Sequence, residues 1–225
     1  MEVCVTLSAN AGISVQIGKH RIWVDVLHEE KQPGFSAVSP SLYQQVLQSA
    51  AFAAPDYICV THCHPDHYSK TMLENAKKLW PNAQLCLPKQ DAYKVKNGEL
   101  TLEFIRLPHE GAQYADVLHY GVVIGLGEKN ILIAGDCETA SPALMEAVGD
   151  RSIDLAILNF PWATLSKGRA FLTQKLKPKH IILCHLPFEE DDVGGFRESA
   201  RRNAQLLDLD VRLLTEPLQM EIVNI

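Results

Sequence analysis

A segment of six residues carries four side chains of the kind that bind divalent metals. His62, His64, Asp66 and His67 come directly after the apolar run 57–60, whose length and β-branched content predict a buried strand. Imidazole nitrogens and carboxylate oxygens are ligands of zinc, manganese and iron. Because alternate residues of an extended segment face the same side, His62 and His64 can bind one ion. Asp66 and His67 can face a second point, so two ions are favoured over one.

Three further residues of metal-ligand type lie where other predicted strands end. His109, Asp136 and His185 each follow an apolar, strand-like run, and the loops at strand ends carry the functional residues of many sheets. Taken singly, each is more simply explained as a cap or a hydrogen-bonded polar residue. Taken together with the first cluster, they indicate that all seven residues belong to a single metal centre. His119 is the alternative to His109, but it starts the next predicted strand, whereas His109 lies in the loop before it.

Strands and helices that position these residues are predicted from hydrophobic periodicity and from capping residues. Apolar residues three and four apart predict a helix over 69–80 that ends at Pro81, and Ser39 followed by Pro40 predicts the start of another helix. The predicted helices are 39–51, 69–80, 141–148, 165–176 and 196–206. The predicted strands are 3–7, 13–17, 22–27, 57–61, 84–87, 100–107, 119–126, 130–135, 155–159, 180–184, 210–214 and 219–224.

Hairpins in the first part of the chain and alternating strands and helices in the second predict an α/β (α+β) protein with mixed sheets and outer helices. The expected architecture is a four-layer αββα sandwich. A length of 225 residues suits a single domain over 1–225, and 47% hydrophobic with 21% charged residues is typical of a folded globular chain. The net charge of −6 argues against nucleic-acid binding.

Neither a membrane anchor nor secretion is expected from the sequence. No apolar stretch reaches the roughly 18–20 residues that cross a bilayer, and the N-terminus lacks the charged and apolar regions of a signal peptide. Six cysteines at irregular spacing, without a CxxC pair, favour reduced thiols over a disulfide framework. A cytoplasmic location is therefore expected.

The motif His62-x-His64-x-Asp66-His67, followed by His109, Gly135-Asp136 and His185, resembles the metal motifs of the metallo-β-lactamase fold. The resemblance covers nearly the whole chain. The short length of the chain resembles that of compact metal-dependent hydrolases near the ascorbate-phosphate lactonase group. The first hairpin, with its strand-ending Asp25, is also similar. The resemblance implies that one metal is bound by His62, His64 and His109, the second by Asp66, His67 and His185, and that Asp136 bridges both.

Such a site implies hydrolysis of an ester, lactone, thioester or phosphodiester by a metal-bridging hydroxide. Zinc is favoured for the two divalent ions, with manganese or iron as alternatives. Asp66 is the candidate catalytic residue, which would orient the nucleophile or accept its proton. Asp25 and Thr61 would hold the ligand rings. The expected partner is a small-molecule substrate. Candidates to contact it are Tyr68, Lys70 and Arg106, and the two cationic side chains favour an anionic substrate. Lys167 and Arg169 are further candidates.

Two other functions stay open at this point. A mononuclear iron persulfide dioxygenase has a motif close to this one, and a catalytically silent metal-binding module would keep the fold without turnover. Flavin-coupled di-iron relatives characteristically have a carboxylate where this chain has His64. Thiolate ligation by Cys137, as in some β-lactamases of this fold, is disfavoured because Asp136 already occupies the bridging position. The sequence leaves the substrate, the native metal and the oligomeric state open.

Overall fold

The computed structural model describes all residues from 1 to 225. Its strands, in chain order, are β1 (Glu2–Leu7), β2 (Ile13–Ile17), β3 (His20–Val24), β4 (Tyr57–Cys59), β5 (Gln84–Cys86), β6 (Tyr93–Asn97), β7 (Leu100–Arg106), β8 (Tyr120–Leu126), β9 (Lys129–Ile133), β10 (Leu155–Asn159), β11 (His180–Cys184), β12 (Asp210–Leu213) and β13 (Met220–Asn224). Its α-helices are α1 (Pro40–Gln48), α2 (Lys70–Leu79), α3 (Pro142–Val148), α4 (Pro161–Thr164), α5 (Ser166–Phe171) and α6 (Phe196–Ala204).

The chain packs into two compact units. The first comprises Met1–Leu87, Cys184–Arg197 and Leu214–Asn224, and the second comprises Pro88–Leu183 and Glu198–Leu213 with the last residue. The prediction of one domain over 1–225 stays a prediction. No helix is long and apolar enough to cross a membrane.

The first unit contains a six-stranded mixed sheet in the order β13-β1-β2-β3-β4-β5. Strands β13, β1, β2 and β3 pair antiparallel, whereas β3, β4 and β5 pair parallel. Helices α1 and α2 form the two connections between the parallel strands. Ser39 caps α1 as the sequence predicts, and Ser69 caps α2 in the same way. Their hydroxyl oxygens accept the backbone N–H groups of Leu42 and Met72, each at 3.2 Å.

The second unit contains a seven-stranded mixed sheet in the order β12-β11-β10-β9-β8-β7-β6. Strand β10 is buried along its whole length, as expected for a parallel strand covered on both faces. One of those faces packs in an apolar core with Trp162, Leu172 and Leu207. The continuous apolar runs of β10 and β11 are the reason that the sequence predicts both strands with their observed bounds.

A buried carboxylate, Asp154, ties the start of β10 to its neighbours. It accepts hydrogen bonds from the backbone N–H of Asn130 at 3.0 Å and from the ammonium group of Lys179 at 2.8 Å, with the Lys129 ammonium at 3.4 Å. Burial alone would raise the pKa of Asp154, but these donors outweigh it and hold that pKa below its usual value. The ionised form of Asp154 is therefore favoured by folding.

Several sequence predictions of secondary structure need correction. The helix predicted over 39–51 ends at Gln48, and the strand predicted over 57–61 ends at Cys59. The strand predicted over 22–27 ends at Val24, because Asp25 has a left-handed backbone with φ 54°. The helix predicted over 165–176 is broken: the chain forms α4, is extended at Leu165, and continues as α5 and a π-turn over Leu172–Leu176. Strand β6 was not predicted, because its polar, largely exposed residues have no apolar stripe.

Candidate metal centre

In the first unit, the carboxyl ends of the parallel strands β3 and β4 bring Asp25 next to Thr61. The backbone N–H of Asp25 bonds to the carbonyl of Cys59 at 3.0 Å, which continues the pairing of the two strands. One Asp25 carboxylate oxygen accepts the backbone N–H of Thr61 at 2.8 Å, and the other accepts the Thr61 hydroxyl at 2.6 Å. A buried carboxylate is therefore fixed at the base of the histidine segment.

These hydrogen bonds orient two histidine rings. His67 Nδ1 lies 2.9 Å from the Asp25 carboxylate, which can only accept, so Nδ1 carries the proton. The Thr61 hydroxyl gives its hydrogen to Asp25, so it accepts from His62 Nδ1 at 3.0 Å. In the neutral state both rings therefore keep a lone pair on Nε2. A second-sphere donor or acceptor that fixes the tautomer in this way is typical of metal-binding histidines.

The donor atoms of the histidine segment converge with that of one further predicted ligand, His185. His67 Nε2 lies 3.2 Å from His185 Nε2, and an Asp66 carboxylate oxygen lies 3.5 Å from His185 Nε2 and 3.7 Å from His67 Nε2. His62 Nε2 lies 3.1 Å from His64 Nδ1. Four ligands at bonds of 2.0–2.1 Å around a tetrahedral ion are about 3.3 Å apart. The donor spacing in this unit therefore fits a divalent metal.

Asn10, which the sequence does not single out, contacts two of these predicted ligands. Its amide nitrogen donates to the Asp66 carboxylate at 3.2 Å and to the Asp66 carbonyl at 3.3 Å, and it lies 3.4 Å from His185 Nε2. The backbone carbonyl of Asn10 accepts the backbone N–H of His185 at 2.9 Å. Asn10 is fully buried, so a single side chain positions both Asp66 and His185.

Three residues of this cluster have left-handed backbone conformations. Asn10, Asp25 and His185 have φ of 52°, 54° and 60°. Asn, Asp and His adopt this region more readily than other residues with a side chain, although it still carries strain. Strained residues concentrate at functional sites when the surrounding contacts hold them in place. Here the hydrogen bonds of Asn10 and Asp25 hold the turns that aim the ligand side chains.

His28 is fully buried in the first unit. Its Nε2 lies 3.2 Å from the carbonyl oxygen of Ala9 and therefore donates to it. Burial is the main reason that the pKa of His28 falls to about 4, and nearby His67 lowers it further. A neutral His28 therefore packs near the donor cluster at neutral pH.

In the second unit, the structure brings His109 and Asp136 together. His109 Nε2 lies 3.7 Å from an Asp136 carboxylate oxygen, and an isolated antiparallel bridge pairs His109 with Cys137. His109 Nδ1 donates to the carbonyl of Glu110 at 2.8 Å, which leaves the lone pair on Nε2. The amide of Asn159 donates to the other Asp136 oxygen at 3.5 Å. Hydrogen bonds thus orient the potential metal-ligand atoms of both His109 and Asp136.

The two alternatives to these residues have other contacts. The fully buried His119 places Nδ1 3.3 Å from the Leu107 carbonyl. The Cys137 thiol donates to the Glu138 carbonyl at 3.4 Å, and burial raises the pKa of this thiol well above its usual value. The Cys137 thiol thus has a carbonyl partner within its own loop, and the choice of Asp136 over Cys137 as a ligand stays a prediction.

The residues predicted to contact substrate are at least partly accessible, but two have partners within the chain. Tyr68 is half-buried and follows the ligand segment. The exposed ammonium of Lys70 lies 3.9 Å from Glu74. In the second unit, the Arg106 guanidinium donates to the carbonyl of Gln90 at 3.3 Å and lies over the ring of Tyr120. Their role in substrate binding stays a prediction.

Lys167 and Arg169, the further candidates for substrate contact, also have partners within the chain. The Lys167 ammonium lies 3.6 Å from the Glu110 carboxylate. The Arg169 guanidinium donates to the carbonyls of Ala163 and Thr164 at 2.7 and 2.9 Å, and to the Asn203 side chain at 2.9 Å. Arg169 therefore ties α4 to Asn203, which lies in the second unit.

Comparison with solved structures identifies the fold. YhfI from Bacillus subtilis, a metallo-β-lactamase fold protein, matches with a TM-score of 0.64 and 13% identity over 99% of this chain and 100% of its own. Igni18, a metallo hydrolase from the archaeon Ignicoccus hospitalis, matches with a TM-score of 0.63 and 14% identity over 100% of both chains. CmlA, a diiron β-hydroxylase from Streptomyces venezuelae, matches with a TM-score of 0.63 and 13% identity over 99% of this chain and 54% of its own.

No protein-family model matches the sequence, and no curated protein matches it significantly. The structural matches confirm the predicted α/β metallo-β-lactamase fold with two mixed sheets. The converging histidine and aspartate side chains fit a metal site, as the sequence predicts.

Proposed function

We propose that this chain is a metal-dependent hydrolase. The observation that carries the proposal is the donor cluster of the first unit, in which Asp66, His67 and His185 converge within metal-ligand distance. Asp25 fixes the His67 tautomer that leaves Nε2 available. A structural neighbour over its full length, Igni18, is a metallo hydrolase, which supports the proposed reaction class.

We assign two divalent ions to the chain, following the resemblance of its motifs to the metallo-β-lactamase fold. In this assignment zinc is favoured, with manganese or iron as alternatives. Such ions lower the pKa of a coordinated water and polarise a carbonyl or phosphoryl oxygen. The proposed ligands are His62, His64 and His109 for one ion, Asp66, His67 and His185 for the other, and Asp136 for both.

The protein residues then orient these ligands and handle protons. Asp25 and Thr61 hold the rings of His62 and His67, and Asn10 holds Asp66. We assign to Asp66 the orientation of the attacking water or acceptance of its proton. Its carboxylate is 12% exposed, which leaves it accessible to a small molecule. The proposed substrate is an ester, lactone, thioester or phosphodiester, and the proposed location is the cytoplasm.

A panel of these four substrate classes tests the proposal. The zinc-loaded protein should hydrolyse at least one class, and removal of metal by a chelator should abolish turnover until zinc is restored. His64→Ala and Asp136→Ala should abolish the same turnover while the far-ultraviolet circular dichroism is unchanged. His180→Ala is the matched control, since His180 pairs with Asp210 at 2.8 Å outside the ligand set. Unchanged turnover in both ligand variants would refute the assignment.

The structural similarity to CmlA supports a second candidate, because CmlA is a diiron β-hydroxylase. An iron-dependent oxidation would use the same histidine and carboxylate donors, which also suit iron. Elemental analysis combined with oxygen-electrode measurements distinguishes the two reactions. Stoichiometric iron with substrate-dependent oxygen uptake would replace the hydrolase proposal, whereas zinc without oxygen uptake would support it. Bound metal with neither reaction would indicate the silent module.

A further inference from the structure

Two phenylalanine rings stand beside one of the proposed metal ligands in the first unit. The Phe35 ring contacts the His185 imidazole edge to face, with centroids 4.6 Å apart and planes at 77°. The Phe196 ring stacks near Phe35, with centroids 6.4 Å apart and planes at 13°. Both residues are half-buried, so part of each remains accessible. Phe35 and Phe196, together called the aromatic wall, thus give the neighbourhood of His185 an accessible apolar surface.

The segment that carries Phe35 is held in place by hydrogen bonds to the segment that follows His185. The Ser36 hydroxyl donates to the Asp191 carboxylate at 2.8 Å and accepts the backbone N–H of Phe188 at 2.8 Å. Asp191 also pairs with Lys31. Ser36 is buried, so the two segments are joined next to Phe35 by a fixed polar contact rather than by surface charges alone.

The second ring of the aromatic wall is also anchored through its backbone. The Asp192 carboxylate accepts the backbone N–H groups of Phe196 and Arg197 at 2.7 and 3.1 Å. Gly34 and Gly195, next to the two phenylalanines, have φ of 80° and 66°, a region that favours glycine. A Cβ at Gly34 would lie 3.7 Å from the Phe196 ring. The backbone of Gly34 therefore packs against that ring.

We propose that the aromatic wall binds an apolar, aryl-type group of the substrate while the reacting polar group faces His185 and Asp66. Aromatic rings bind such groups through buried area and through offset or edge-to-face contacts. The substrate class is thus narrowed to esters or phosphoesters that carry an apolar substituent beside the bond that is cleaved. This inference rests on the proposed function, since it places the reacting group at the metal ligands.

Binding of phosphonates to the full-length, zinc-loaded protein tests the inference without requiring turnover. Phenylphosphonate and methylphosphonate present the same anionic group and differ in the apolar substituent. The wild-type protein should bind phenylphosphonate about tenfold more tightly, as expected when an apolar pocket accepts several additional carbons. Phe35→Ala should reduce this preference to about twofold or less. Phe35→Leu, which keeps an apolar side chain and a buried stem, should retain most of the preference.

Tyr93→Ala is the matched control, because Tyr93 is also a half-buried ring, stacked on Phe104 with centroids 4.4 Å apart in the second unit. It should leave both phosphonate affinities unchanged. Equal affinity of the wild-type protein for the two phosphonates, or a preference that survives Phe35→Ala, would overturn the inference. The divalent-metal content of each sample separates the two proposals. A wild-type protein that holds no divalent metal overturns the proposed function, whereas a zinc-loaded protein without phenyl preference overturns the aromatic wall alone.

Discussion

Asp25 determines the tautomers of two proposed ligand histidines, and Asp25→Asn tests this directly. The substitution keeps the side-chain shape but replaces one carboxylate oxygen with an NH2 group. If the remaining oxygen keeps the Thr61 backbone N–H, the NH2 group faces the Thr61 hydroxyl and His67 Nδ1. Because both are now offered a donor, His67 must carry its proton on Nε2, which removes the lone pair aimed at His185.

The expected effect follows from the three hydrogen bonds that Asp25 accepts. Loss of a hydrogen bond that orients a ligand histidine lowers metal affinity about 10–100-fold, which corresponds to about 1.4–2.7 kcal/mol of binding free energy. The metal-free protein should also lose about 1.5–3 kcal/mol of unfolding free energy, because a charged hydrogen bond to His67 is removed. The first quantity is measured by calorimetric titration of the metal-free protein with Zn²⁺, and the second by urea denaturation.

Asp56→Asn is the matched control for this prediction. Asp56 accepts the backbone N–H of Arg21 at 2.8 Å, but it is exposed and bonds to none of the ligand histidines. Its substitution should leave zinc affinity unchanged. A folded Asp25→Asn variant whose zinc affinity lies within twofold of the wild-type value would refute the tautomer argument.

Asn10→Gly keeps the left-handed backbone and removes the side-chain amide that contacts two proposed ligands. Zinc affinity measured by calorimetry should fall about tenfold, while the circular dichroism spectrum stays unchanged. Unchanged zinc affinity would exclude a positioning role for Asn10. Gly12→Ala should lower the unfolding free energy by about 1–3 kcal/mol, because its Cβ would lie 2.7 Å from the Asp25 carbonyl oxygen, and a variant as stable as wild type in urea would contradict this close approach. Asp154→Asn should lower the unfolding free energy by about 2 kcal/mol at pH 7, since folding lowers the pKa of this carboxyl through Lys179. The stabilisation by Asp154 is present above the unfolded pKa of about 4 and is lost as pH falls through the folded pKa. The difference in unfolding free energy between wild type and Asp154→Asn should therefore shrink in acid. A difference that stays the same in acid would count against the pairing of Asp154 with Lys179.

The sequence predicts most strands and helices of this fold because their signals are local. Strand β11 is a continuous apolar run that ends in the polar loop of His185, and the helices α1 and α2 begin at serine caps. The strand β6 has no such signal, since Lys94 and Lys96 are exposed on it, and it forms only because β7 offers a free edge for pairing. Gly168 accommodates the break at Leu165, because a Cβ at Gly168 would lie 2.4 Å from the Trp162 carbonyl oxygen; this close approach leaves no signal in the hydrophobic pattern.

The candidate site divides in the same way. The ligand-type residues are recognisable because their side chains are chemically distinctive and follow strands, so the motif alone names His62, His64 and His67. Asn10 and His28 have no motif of their own. Their importance depends on a left-handed turn and on burial beside residues more than thirty positions away, which a single sequence does not reveal. The same holds for Phe35, whose contact with His185 spans 4.6 Å in space and most of the chain in sequence.

Metal content is the most direct test of the proposed centre. Elemental analysis of the purified wild-type protein, and of a folded His185→Ala variant prepared in parallel, should find two equivalents of divalent metal in the former and at most one in the latter. His180→Ala should retain the wild-type content. A wild-type protein without stoichiometric metal, or a His185→Ala variant with the full complement, would contradict the proposed metal-dependent hydrolase.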